Sequence, residues 1–101
     1  MIERLEVPQE VIEHVKNYLT GHDLGELVEV MRASDCPDDD YLYMVIARKV
    51  NINKYFHNGE YDYSCWTSWN ETTQSLNFGH YHLKTVKSAE EICAQFFHKI
   101  N

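Results

Sequence analysis

The sequence predicts an α+β domain: a two-layer sandwich in which an antiparallel meander of three or four strands carries helices from both chain ends on one face. Three observations point there. Apolar residues recur at helical spacing near both ends of the chain, they alternate with a period of two through its middle, and two turn signals join the alternating segments closely enough to make neighbours antiparallel.

The first helix is predicted over 8–20. Pro8 suits a first helical turn, Glu10 favours the positive end, and Val11, Ile12, Val15, Tyr18 and Leu19 recur along one face before Gly21 stops it. Asp23 with Glu26 three residues on resembles a capping box, and Leu24, Leu27, Val28 and Met31 keep helical spacing, so a second short helix is expected over 24–33. The alternation Val28-Glu29-Val30 offers a strand over 27–33 instead, which would make the sheet four-stranded. Asp35, Pro37 and the run Asp38-Asp39-Asp40 write a loop.

Tyr41 to Lys49 reads as a central strand because both of its faces are apolar. Asn58-Gly59, the pair suited to two positive φ angles, turns the chain into a strand from about Glu60 to Asn70. A four-residue turn, Glu71 to Gln74, leads to the next strand, Leu76 to Lys84. Ser88 and Glu91 make a capping box for a last helix whose stripe is Ala89, Ile92, Cys93, Phe96, Phe97 and Ile100.

At 101 residues and 44% hydrophobic the chain is sized for a single domain with a modest core. The alternating charges of Met1 to Glu6 do not resemble a signal peptide, and no stretch approaches the ~20 apolar residues of a membrane span, so a cytoplasmic location is expected. Cys36, Cys65 and Cys93 are odd in number and widely spaced, the usage of free thiols in a reducing compartment. Residues 1–40 hold 11 acids against 3 bases (net −8), and residues 41–101 hold 5 against 6 (net +1). Such an acidic stretch repels phosphate backbones and anionic lipid, which argues against nucleic-acid and membrane partners and favours a protein partner, a basic one fitting best, or a second copy of the chain.

The chemistry-bearing segment is the hairpin of residues 60–85. A four-residue loop at 71–74 opposes Asn70 to Ser75, and the register then sets Trp69 against Leu76, Cys65 against His80 and Tyr63 against His82. A thiol beside an imidazole is the minimum of a cysteine nucleophile, which makes Cys65 and His80 the catalytic alternative, although no third group is spaced to orient the histidine. Cys65, His80 and His82 are the matching metal-ligand alternative, with too few converging donors for a recognisable site. The other face of the same strands is polar apart from Trp66, Tyr81 and Leu83, with Trp66 across from the bare backbone of Gly79. Outward aromatics of this kind compose an interaction patch. The sequence therefore leads to the expectation of a small acidic domain without enzymatic activity or cofactor. It would act by protein contacts through Trp66, Tyr81 and Leu83 in a regulatory, inhibitory or accessory role.

Overall fold

The computed structural model describes residues 7–32, 43–50 and 61–100. Its element order is α1 (Gln9–Gly21), β1 (Glu26–Arg32), β2 (Tyr43–Val50), β3 (Tyr61–Asn70), β4 (Ser75–Leu83) and α2 (Val86–Ile100). The strands form one antiparallel sheet in the order β1-β2-β3-β4, a meander with a helix before it and a helix after it, so the α+β class and the four-stranded alternative hold. The acidic loop at 34–40, the Asn58-Gly59 turn and the side chains of Phe96, Phe97 and Ile100 lie outside the described residues.

The expected helix over 24–33 is strand β1. Asp23 adopts φ 53° and Gly25 φ 111°, so the chain leaves α1 through two left-handed residues instead of entering a new helix. A side chain at Gly25 would run into the carbonyl of Arg48, so the glycine also lets β1 start tight against β2. Once paired, Leu27 faces Ala47 and Glu29 faces Ile46, which leaves Val28 as an extra residue in a β-bulge. The bulge puts Leu27 and Val30 toward one face and Val28 and Met31 toward the other. A bulged strand thus carries a spacing of three on each face, which in the sequence is indistinguishable from a helix.

The helices do not share one face, contrary to the two-layer expectation. Val11, Val15 and Leu19 of α1 pack with Tyr43, Val45, Ala47, Trp66 and Trp69. Ala89 and Cys93 of α2 pack with Met31, Met44, Ile46 and Cys65. Alternate residues of β2 feed the two cores, and its five residues from Tyr43 to Ala47 are all buried. The sheet is therefore the middle layer of three. A central strand apolar on both faces already requires two covers, and the two amphipathic helices supply one each.

α2 begins two residues ahead of the Ser88 expected to cap it. Thr85 takes that role: its Oγ1 accepts a hydrogen bond from the Ser88 backbone N–H at 3.1 Å.

Candidate functional site

The β3–β4 hairpin has the predicted loop and most of the predicted register. Asn70 pairs with Ser75, Trp69 with Leu76, Trp66 with Gly79 and Cys65 with His80. Asn70 Oδ1 accepts from the Thr73 N–H at 3.1 Å, and Gln74 closes the turn at φ 51°. Past Cys65 the register slips: Tyr63 pairs with Leu83 and not with His82, because β4 bulges there and His82 takes φ 59°. A third bulge, in β3 opposite Tyr43 to Val45 of β2, brings Trp66 and Trp69 into the same core despite a spacing of three.

These irregularities redistribute the predicted binding residues. Trp66 is not outward: it is 3% exposed, beneath the α1 side of the sheet. Leu83 is half-buried and packs on the opposite core, beside α2. Tyr81 alone of the three is on the surface, at 55% exposure, joined by Phe78 at 58%, which adopts φ 58°. Gly79 connects the two layers of this patch. A Cβ there would collide with the Tyr81 hydroxyl and sit 2.8 Å from Trp66 Nε1, so only glycine lets the Tyr81 ring fold back onto the buried indole. Trp66 Nε1 donates to the Tyr81 hydroxyl at 3.2 Å, and the rings meet edge to face at 5.8 Å and 78°.

Cys65, His80 and His82 do not converge. Cys65 is wholly buried under α2, where its hydrogen-bond partner is the Cys93 thiol. Donation from Cys93 holds the Cys65 pKa below a thiol's ordinary value, outweighing the opposite push of burial. His82 lies on the bulge with its side chain 88% exposed, 3.8 Å from the Asp62 carboxylate. A cysteine nucleophile must reach substrate, and this thiol faces another thiol inside a core.

A different constellation sits at the hairpin tip. Glu10 and His14 lie one turn apart on α1, and Glu71 opens the β3–β4 turn. His14 Nδ1 and Glu71 Oε2 are 2.7 Å apart, while Glu71 Oε1 accepts from Trp69 Nε1 at 2.9 Å. One donor atom from each of Glu10, His14 and Glu71 lies within 4.8 Å of the others, and among the described residues this is the group of His, Cys, Asp and Glu side chains that converges. The sequence does not single it out, because Glu10 and His14 look like a solvated helix face and Glu71 like a turn residue.

A sheet enclosed between two helices, with exposed aromatics on one edge strand, defines a small three-layer α+β domain. The chain belongs to the family described as large polyvalent protein associated domain 24, whose profile matches residues 10–87. That span runs from the first turn of α1 through every strand to the start of α2, and it contains Glu10, His14, Glu71, Phe78 and Tyr81. No curated protein and no solved structure matches the chain significantly. Among the described residues no helix is long and apolar enough to cross a membrane.

Proposed function

We propose that the domain is a non-catalytic, cytoplasmic contact module that binds a protein partner through the aromatic rim of β4, with Phe78 and Tyr81 as anchors. The observation that carries this reading is their exposure, 58% and 55%, on an edge strand of a sheet whose two faces are already occupied by helices. Aromatic side chains are enriched among the few residues that dominate binding energy at protein interfaces, and Tyr81 is held in place by Trp66 before any partner arrives. The left-handed residues Phe78 and His82 break the regular hydrogen-bonding edge of β4, which favours side-chain docking over addition of a further strand. A net charge of −7 fits a basic partner surface, and a second copy of the chain is the alternative occupant. The description of the family as a domain associated with large polyvalent proteins agrees with an accessory role.

The test is light scattering on the purified full chain, coupled to affinity capture from its source, with Phe78→Asp alongside wild type. Self-association or a stoichiometric partner is expected, lost in Phe78→Asp while the circular dichroism spectrum is retained. A strictly monomeric protein that captures nothing stoichiometric, or capture indifferent to Phe78→Asp, overturns the reading.

A further inference from the structure

We propose that Glu10, His14 and Glu71 form a binding site for a divalent transition-metal ion of the zinc class, clamping α1 to the tip of the β3–β4 hairpin. The donor set is one imidazole nitrogen and two carboxylates, whose atoms already lie within 4.8 Å of one another. Calcium and magnesium prefer oxygen throughout, so the imidazole selects for zinc, cobalt, nickel or copper. Three protein ligands leave a coordination position for water, the arrangement of an open site.

Two features distinguish this cluster from an accidental surface grouping. Glu71 is fixed from behind: the indole of Trp69, which is wholly buried, holds Oε1 at 2.9 Å and leaves Oε2 directed at His14. A buried donor orienting a ligating carboxylate is the support that metal sites use to fix their ligands. Trp69 is itself pinned by Tyr18 of α1, edge to face at 5.6 Å and 78°, so helix and hairpin tip are held in register before any ion binds. The second feature is charge. Two carboxylates brought this close repel, and a divalent cation between them offsets that repulsion. Glu10 is exposed and free to swing the remaining distance, and the 2.7 Å contact between His14 and Glu71 opens as the ion takes its place between them.

The full chain, free of tags and stripped with chelator, is titrated with zinc chloride by calorimetry, and cobalt(II) chloride is added in parallel for its visible spectrum. One equivalent of zinc is expected, with a rise in melting temperature. Glu10→Gln touches no packing, and Glu71→Gln keeps an oxygen for Trp69; each is expected to weaken zinc at least about tenfold. His14→Ala abolishes the cobalt spectrum, while Cys65→Ser leaves zinc binding unchanged. Absence of one-equivalent binding up to about 1 mM zinc overturns the proposal. So do affinities unaltered in both glutamine variants, or binding lost on Cys65→Ser, which would put the ion at the thiols. None of these outcomes depends on the aromatic rim.

Discussion

Gly79→Ala tests whether the exposed rim is held from inside the fold. The added methyl would overlap the Tyr81 hydroxyl and stand 2.8 Å from Trp66 Nε1. Trp66 is 3% exposed and yields only the few tenths of an ångström the methyl needs, whereas Tyr81 is 55% exposed and can turn outward, so the tyrosine ring leaves and the strand stays. Its departure forfeits the Trp66–Tyr81 hydrogen bond, about 1 kcal/mol because water follows the ring and partly satisfies the indole N–H. It also forfeits the edge-to-face contact, about 0.5–1.5 kcal/mol. Gly79 is not among the positive-φ residues, so alanine fits its backbone and recovers about 0.5–1 kcal/mol of chain entropy. The balance is a loss of about 1 kcal/mol, a fall in melting temperature of about 4–8 °C for a chain of this size. Urea unfolding followed by circular dichroism and indole fluorescence measures it. Tyr81→Phe alone removes the hydroxyl and costs about 1 kcal/mol, and the double variant should be no less stable than Gly79→Ala, because the hydroxyl is already displaced. Additive costs, or a Gly79→Ala chain as stable as wild type, would refute the coupling of rim to core.

Two further substitutions probe the interior. Thr67 is wholly buried in β3 and its Oγ1 has no hydrogen-bond partner, so Thr67→Val, which keeps the β-branch and deletes the stranded hydroxyl, should stabilise the fold by about 1 kcal/mol in urea unfolding; a loss of stability would show that the hydroxyl is satisfied. Cys93→Ala removes the thiol that lowers the Cys65 pKa. A folded-state pKa below the unfolded one adds stability that is complete above the unfolded value and lost as pH falls through the folded value. The destabilisation by Cys93→Ala should therefore be larger at about pH 9.5, above the unfolded thiol value, than at a pH well below the folded value, where only its cavity counts, and equal costs at both would contradict the thiol–thiol assignment.

The strands and turns that obey simple periodicity were legible. Five consecutive buried residues in β2 announce a central strand, and Glu71 to Gln74 makes a turn whose length fixes Cys65 opposite His80. Failures occur where a bulge interrupts the period. Val28 disguises β1 as a helix, the extra residue in β3 returns Trp69 to the face of Trp66, and His82 shifts Leu83 into the place expected for His82. Alternation assigns faces by parity, and one inserted residue reverses parity for everything beyond it. The predicted aromatic patch lost Trp66 for a related reason. Its neighbours on the same face of the strand, Ser64 and Ser68, are polar, which reads as an outward face, but the helix that covers that face ends at Gly21, far upstream, and strand composition does not reveal it.

The tip cluster was illegible on different grounds. Glu10 and His14 satisfy the i, i+4 rule that any solvated helix satisfies, and the third member stands 57 residues from His14. What joins them is the docking of α1 across the sheet, driven by Val11, Val15 and Leu19, residues that share no chemistry with the site. The apolar face of α1 thus sets the position of its polar neighbours, since a helix rotated to bury Val11 and Val15 must hold Glu10 and His14 together along one flank. That flank reaches Glu71 because Trp69, two residues before it, is the side chain on which Tyr18 closes. Packing and polar geometry are then one constraint: a substitution that rotates α1 in its seat, such as enlarging Val15 in its fully buried site, would separate His14 from Glu71 without touching either.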